Sequence, residues 1–429
     1  MRKLFTFAIV ASLTFAIACP VMAGTDLTFS GQVRGRHQLD NRSFVTDHAW
    51  QHWMELRTRL AVEATVDGNA HAFIQLQDSR MAGANNLSGT TNDGMNVDLH
   101  QAYIKIDNLF GEGWGAAAGR AEFVLGNQRV FGAVGWSNVG RSWDGMAFWY
   151  KNQNLSLKTI YLKRLEVNDT SYNADFDIFG LVGKIEDYNL EIFAFFEQDA
   201  DETGLQDNRL KRLNGGLYYQ RTHGQWDFEL NGVYQSGSLE TNTIDDVVVP
   251  PDTTFINTDL SGIMATFEAG YTFPGGANAR FALGIDYESG DDHLDATDNG
   301  AYQGPYSTAH KFQGHMDYFT PAARSGEAYE FAGLFDYMAR GRFDVIPGWT
   351  VKGDFHYFMT AADYRDPFMD DGSTSQDVGL ELDLSVTTTR VAGAKFVAGV
   401  SGFQAKEAFS GTDDNDMGLW GYLIGTVNF

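Results

Sequence analysis

The sequence predicts an all-β protein, a transmembrane antiparallel β-barrel of about 18 strands with short periplasmic turns and long extracellular loops. Three observations support this fold class. Runs of about 9–14 residues alternate apolar with polar side chains along most of the chain. Short and long connections between these runs alternate strictly. The chain also ends on an alternating run whose last residue is Phe429.

The first residues have the parts of a secretory signal peptide. Arg2 and Lys3 precede an apolar run over residues 4–18, and residues 21–23 (VMA) offer a cleavage site. About 15 apolar residues are too few to cross a bilayer as a helix. We therefore expect export from the cytoplasm and cleavage after Ala23.

Cleavage at that point divides the chain simply. Residues 1–23 are the expected signal peptide, and residues 24–429 are one outer-membrane barrel domain, because no linker or low-complexity block interrupts them. Cys19, the single cysteine, leaves a lipoprotein anchor open as an alternative. A mature chain without cysteine has no disulfide and no thiolate chemistry.

Strand positions follow from the alternation. The predicted strands cover residues 27–38, 53–66, 70–80, 97–107, 113–126, 143–151, 154–165, 174–187, 189–199, 208–222, 225–237, 259–273, 278–290, 326–340, 344–358, 377–388, 391–403 and 416–429. The richness in aromatic residues, 14%, suits lipid-facing surface and interfacial girdles.

The connections set the orientation of the barrel. Those from even to odd strands are tight and rich in turn residues, among them 67–69, 151–154, 186–189, 222–224 and 274–278. Those from odd to even strands are longer, among them 81–96, 127–142, 238–258 and 291–325. Outer-membrane barrels place short turns in the periplasm and long loops outside the cell.

The acidic residues concentrate in the long connections. The formal net charge is −25, and acids cluster in 91–94, 290–300, 363–372 and 411–418. Solvation and repulsion between neighbouring molecules account for such loops. Divalent-cation binding is the alternative, although no loop has the calcium-loop pattern.

The basic residues of the strands predict a positively charged lumen. Arg34 and Arg36 alternate with Phe29 and Val33, and other strands repeat this pattern. A charge facing lipid near the midplane costs about 2–4 kcal/mol, which favours inward placement whatever the function. Pairing with lumenal acids such as Glu55 and Glu122 is the alternative role for these arginines.

The connection between the fifth and sixth strands is the predicted constriction loop. It carries Arg129 and Arg141, and its glycines permit a tight inward fold before Asp144 starts the next strand. Arginine suits a path for carboxylates because its guanidinium stays charged and binds them in a bidentate way. The candidate lumen residues are Arg34, Arg36, Arg57, Arg59, Lys105, Arg120, Arg129, Arg141, Asp144, Arg280 and Lys352.

An ordered set of short motifs resembles the alginate-export family of outer-membrane barrels. These motifs are RGR at 34–36, ELRTRL at 55–60, QLQDSR at 75–80, DLHQAYIKI at 98–106, GRAEFVLGNQRVFG at 119–132, WSNVGRSWDG at 136–145, HKFQGHMDYF at 310–319 and VGLELDL at 378–384. The resemblance implies a monomeric barrel with an electropositive constriction. It also implies an anion-selective channel that passes an anionic, alginate-like polyuronate by diffusion.

Other function classes fit the sequence less well. The alternative function is that of a porin for small organic acids or other nutrients. An enzyme is not expected, because the histidines are scattered and no cofactor or metal motif is present. No exposed basic stripe predicts nucleic-acid binding.

The expected partners follow from a location in the cell outer membrane of a Gram-negative bacterium. They are outer-membrane lipid and lipopolysaccharide around the barrel, and the anionic polysaccharide or small anions inside it. The barrel-assembly machinery is a further expected partner, through a last strand that ends in Phe429.

Overall fold

The computed structural model is a closed antiparallel barrel of 18 strands. It describes residues 24–45, 47–83, 97–166, 175–200, 208–245, 252–291, 297–325, 327, 330–365, 374–406, 409 and 416–429. The predicted signal peptide lies outside these residues. No helix in the described part of the chain is long and apolar enough to cross a membrane.

The barrel strands follow one another in chain order around the wall. They are β1 Thr25–Asn41, β2 Gln51–Val66, β3 Ala70–Met81, β4 Asp98–Asp107, β5 Trp114–Ala121, β6 Trp143–Lys151, β7 Leu155–Leu165, β8 Phe176–Ile185, β9 Leu190–Asp199, β10 Asn208–His223, β11 Trp226–Asp245, β12 Asp252–Thr272, β13 Arg280–Glu288, β14 Leu334–Ile346, β15 Trp349–Arg365, β16 Thr374–Thr388, β17 Ala394–Ala405 and β18 Gly418–Asn428.

Helical pieces in the described residues are short. They are the 3₁₀ turns Glu186–Tyr188 and Ala309–Lys311 and the α-helix α1 Pro321–Arg324. Asp298–Asn299 adds a two-residue parallel bridge to β12. The chain is therefore nearly all β, as the sequence predicts.

The barrel closes between its first and last strands. β1 pairs with β18 from Gln32 opposite Asn428 to Asn41 opposite Leu419. The last residue continues this ladder, because the amide of Gly31 donates to the carbonyl of Phe429 at 2.7 Å and the amide of Phe429 donates back at 3.1 Å. Closure therefore pairs the first strand with the last, as a membrane barrel requires.

The alternation separates a lipid-facing surface from an interior. On β1, Phe29 is 61% exposed, whereas Arg34 is 6% exposed. Outward apolar side chains such as Ile104 and Leu283 continue the pattern around the wall. Trp114, Phe148 and Tyr150 pack together on the outside near the turn ends of β5 and β6, where aromatic girdles meet the membrane interface.

Several predicted strand ends differ from the structure. The turn expected at 341–343 lies at Pro347–Gly348, where Gly348 has a φ of 81°. The predicted strand 326–340 accordingly begins at Leu334, since the residues before it belong to a connection. β11 and β12 continue to Asp245 and from Asp252, so most of the predicted loop 238–258 is strand.

The acidic connections fall largely outside the described residues. Residues 91–94 lie outside them altogether, as do most of 363–372 and 411–418. The expectation that these stretches form solvated external loops therefore stays a prediction.

Candidate channel constriction

The β5–β6 loop, residues 122–142, folds into the lumen. β5 ends at Ala121 rather than at 126 as predicted, and the chain then turns inward before Trp143. Phe131 is fully buried, with its ring 4.9 Å from those of Phe195 and Tyr306. This aromatic contact, together with Trp143, fixes the loop against β9 and against a second inserted segment.

Two arginines of the β1–β2 wall hold the tip of this loop. Arg34 donates to the carbonyl oxygens of Gly135 at 2.9 Å and Ser137 at 3.0 Å. Arg57 donates to the same carbonyls at 3.3 and 3.0 Å and to the amide oxygen of Gln32. Both side chains are buried. Their guanidinium groups thus satisfy loop carbonyls that would otherwise be buried without a partner.

Arg36 of β1 adds an ion pair to this arrangement. Arg36 donates to the carbonyl of Trp136 at 2.7 Å and forms an ion pair with Glu55. Its guanidinium also lies 4.5 Å from the centre of the Trp136 ring. Cation–π contact and charge pairing therefore act on the same group.

Arg59 anchors the start of the loop. It donates to Gln77 at 2.6 Å and to Glu122 at 3.2 Å. Glu122 also hydrogen-bonds His100 at 2.8 Å. The Glu122 carboxylate, at the start of the loop, is therefore shared between Arg59 and His100.

Arg129 crosses the lumen to the opposite wall. It forms an ion pair with Asp286 of β13, and its guanidinium lies 3.9 Å from the centre of the Phe312 ring. Both charged side chains are buried. This pair ties the loop to the strand that faces the β1–β2 arginines.

The β13–β14 connection also enters the lumen. Tyr302, Phe312 and Phe319 are buried, which differs from the expectation that 291–325 is an external loop. The apolar side chains of this segment give the reason, because Met316 and Phe319 pack into an aromatic cluster with Phe358 and other wall residues. Residues 292–296 lie outside the described part of the chain.

The two inserted segments form one body. The amide of Gly132 donates to the carbonyl of Tyr306, and that of Thr308 donates to Gln128, both at 2.9 Å. Arg141 donates to the carbonyl of Tyr306 as well. Burial lowers the pKa of Arg141 below its usual range. The His310 ring stacks on Trp136 with 4.1 Å between their centres, which extends the contact to the loop tip.

Arg120 and Asp144 differ from the sequence expectation. Arg120 lies opposite Ala102, on the same side of the wall as the lipid-facing Ile104, while Asp144 lies opposite Arg120. Their ion pair, with 2.8 Å from Arg120 Nε to Asp144 Oδ1, is therefore on the outer face near the extracellular end. The outer face can carry these two charges because each is paired with the other.

The remaining predicted residues line the interior away from the constriction loop. Lys105 pairs with Asp107 at 2.6 Å near the turn end of β4. Arg280 binds Asp227 and Glu268. Lys352 is exposed, and it lies on the same side of β15 as His356, which is buried in the interior.

Sequence reasoning missed a group of acids on β14 and β16. Asp336, Glu381 and Asp383 on β14 and β16 are buried and face the lumen. His356 pairs with Asp336 at 2.8 Å. The ELDL alternation at 381–384 carried this signal, because Glu381 and Asp383 share one parity. The interior thus has an arginine-rich side at β1–β2 and an acid-rich side at β13–β16.

Several interior guanidinium groups contact no carboxylate of a described residue. Arg34, Arg57 and Arg141 bind carbonyl and amide oxygens, and Arg164 lies over the Phe176 ring. Dipoles solvate these charges but do not cancel them. These guanidinium groups are therefore solvated by dipoles and rings rather than compensated by acids of the described residues.

The comparisons with known proteins agree with this architecture. The family model described as alginate export matches residues 25–422. A search among curated proteins finds no match.

Solved structures share the fold at low sequence identity. A BenF-like porin from Pseudomonas fluorescens Pf-5 has a TM-score of 0.59 and 11% identity, with 94% of this chain and 98% of that chain covered. OccK9 (OpdG) from Pseudomonas aeruginosa has a TM-score of 0.59 and 13% identity at the same coverage. OccK2 (OpdF) from Pseudomonas aeruginosa, solved with glucuronate, has a TM-score of 0.57 and 14% identity, again at that coverage.

The family match extends over nearly the whole barrel, from the first residue of β1 into β18. The chain therefore belongs to the alginate-export family of outer-membrane β-barrels.

Proposed function

We propose that this chain is an outer-membrane channel through which an anionic polysaccharide, an alginate-like polyuronate, diffuses. Family membership supports the cargo class. The observation that carries the charge preference is the placement of Arg34 and Arg57, whose charges no described carboxylate contacts. Guanidinium groups beside a narrow, low-dielectric path attract carboxylates without a covalent step.

The path through such a barrel has to pass the two inserted segments. They join the β1–β2 wall to β13, so the free cross-section of the lumen is reduced at their level. A chain of uronate units passes a narrow site one unit at a time, and several modest sites in series attract without trapping. A porin for small organic acids is the second candidate, which the same narrowing favours.

Ion selectivity tests the proposal. Purified protein is inserted into planar bilayers, and reversal potentials are measured across a KCl gradient. We expect anion selectivity and block of the current by uronate oligomers. Arg34→Gln should reduce both, while Arg390→Gln, in the β16–β17 turn, should alter neither. Cation selectivity of the parent protein, or conductance without block by any uronate, would contradict the proposal.

Three further expectations stay predictions. They are cleavage of residues 1–23, a single domain over 24–429, and recognition of the last strand by the barrel-assembly machinery. Contact with outer-membrane lipid and a monomeric barrel fit the closed fold and its apolar exterior. A role as a channel rather than an enzyme is likewise what the barrel family supports.

A further inference from the structure

We infer that a cavity in the lumen wall between β4 and β7 is a subsite for one carboxylated sugar unit. The inference rests on the proposed function and assigns part of the path to named residues. The cavity has a volume of about 470 Å³. Sites for small molecules typically have about 300–1,000 Å³.

The wall forms this cavity because the facing middle parts of two adjacent strands carry only small inward side chains. Ala117, Gly119 and Ala121 of β5 face the lumen beside Gly145 and Ala147 of β6. Gly119 has a φ of 129°, and a Cβ there would lie 2.2 Å from the carbonyl oxygen of Ala102. At Gly145 a Cβ would lie 2.1 Å from the carbonyl oxygen of Tyr161. The backbone itself therefore keeps the floor of the cavity open.

Aromatic rings border this floor. Tyr103 of β4 and Trp149 and Trp143 of β6 line the cavity. The Trp149 ring lies against Gly115, since a Cβ on that glycine would come within 2.3 Å of it. The C–H faces of a sugar ring pack on aromatic side chains in this way, while the polar edges remain free for hydrogen bonds.

The ammonium group of Lys158 provides a positive charge at the edge of the cavity. Lys158 of β7 lines the cavity and also an adjoining space of about 100 Å³ beneath Phe123. Lys158 forms no ion pair with a described residue, whereas Lys105 binds Asp107 and Lys184 lies 3.9 Å from Glu191. Lys158 is thus the ammonium group that a carboxylate can bind without displacing a contacting acid.

Two acids lie beside this space. Glu191 lines the adjoining space together with Lys158 and lies 3.9 Å from the ammonium group of Lys184. Glu122 borders the cavity, but it accepts hydrogen bonds from Arg59 and is bound to His100. Its charge is therefore compensated by two side chains that do not line the cavity. A floor of small residues bordered by aromatic rings, an ammonium group with no ion pair to a described residue, and acids held by other basic groups together fit a sugar carrying one carboxylate.

Binding is measured on the full protein in detergent, without a membrane. The probe is digalacturonate, titrated by isothermal calorimetry beside an uncharged disaccharide of equal length. We expect digalacturonate to bind the parent protein at least about tenfold more tightly than the neutral sugar, as a charge-assisted contact predicts. Lys158→Gln should remove this preference, and Lys158→Arg should retain most of it.

Matched variants separate the cavity from the lumen as a whole. Lys395→Gln removes one inward charge at the same end of β17, outside the cavity, and should leave binding unchanged. Ala117→Leu should block binding by filling the floor, whereas Ala116→Leu, on the outward face opposite Phe148 and outside the cavity, should not. Heat-modifiable migration on gels verifies that each variant is folded.

Two results overturn the subsite. One is equal binding of the charged and neutral sugars, or no binding of either. The other is digalacturonate binding that survives both Lys158→Gln and Ala117→Leu. If the parent channel nevertheless shows anion selectivity and uronate block in bilayers, the proposed function stands and only the subsite fails.

Discussion

Arg129 of the inserted β5–β6 loop forms a buried ion pair with Asp286 of β13, on the far side of the lumen from the β1–β2 arginines. Breaking a buried pair from one side costs about 3–5 kcal/mol, because the remaining charge loses its partner. We expect Arg129→Gln and Asp286→Asn each to loosen the loop. Single-channel recordings should then show a larger mean conductance with more frequent fluctuations than those of the parent protein.

The double variant provides the control for this pair. Arg129→Gln combined with Asp286→Asn leaves no unpaired charge, so its conductance should lie closer to that of the parent than either single variant does. Additive effects of the two substitutions would show that the pair does not hold the loop.

Charge reversal distinguishes the interior from the outer face. Arg57→Glu places a carboxylate against the carbonyls of Gly135 and Ser137 and changes the interior charge by two units. We expect the reversal potential to shift towards cations. Arg120→Glu, beside Asp144 on the outer face, should leave the reversal potential unchanged. A shift of equal size in both variants would contradict the placement of Arg120.

Cysteine labelling tests the orientation of the barrel. Glu240 lies near the distal end of β11, and His223 is the last residue of β10, next to the β10–β11 turn. A membrane-impermeant maleimide should label Glu240→Cys in intact cells, but His223→Cys only after the outer membrane is permeabilised. Labelling of His223→Cys in intact cells would reverse the assignment of turns and loops.

The terminal residue closes the ladder between the first and last strands. Phe429 exchanges backbone hydrogen bonds with Gly31, and its side chain lies on that glycine. Deletion of Phe429 should lower the amount of folded, heat-modifiable protein in the outer membrane several-fold, since it removes two backbone hydrogen bonds of the closing ladder. Phe429→Tyr serves as the control and should assemble normally. Normal levels of the deletion variant would exclude a role for the terminal residue in assembly.

The strand pattern was readable from the sequence because lipid imposes a strict alternation. The prediction of inward and outward side chains is wrong where the two faces of a strand differ little in polarity. On β5, WGAAAGRA has small residues on both faces, so nothing in the sequence assigned Arg120 to the outside. The turn after β14 was misplaced for a related reason, since Arg340 and Arg342 continue the polar parity beyond the predicted end.

The constriction was readable only in part. The glycines and arginines of the β5–β6 loop predicted an inward fold, and the structure places that loop inside the barrel. The partners of its charges were not predictable, because Asp286 and the carbonyls of 305–307 come from distant segments. The second inserted segment was missed because its length and polar start resemble an external loop.

Flux of a charged sugar chain tests the central claim most directly. Liposomes containing the purified barrel are loaded with a fluorescently labelled uronate oligomer or with a neutral oligomer of equal length, and efflux is followed over time. We expect faster efflux of the uronate, with the difference reduced in Arg34→Gln. Equal efflux of the two oligomers, or faster efflux of the neutral one, would contradict a channel for anionic polysaccharide.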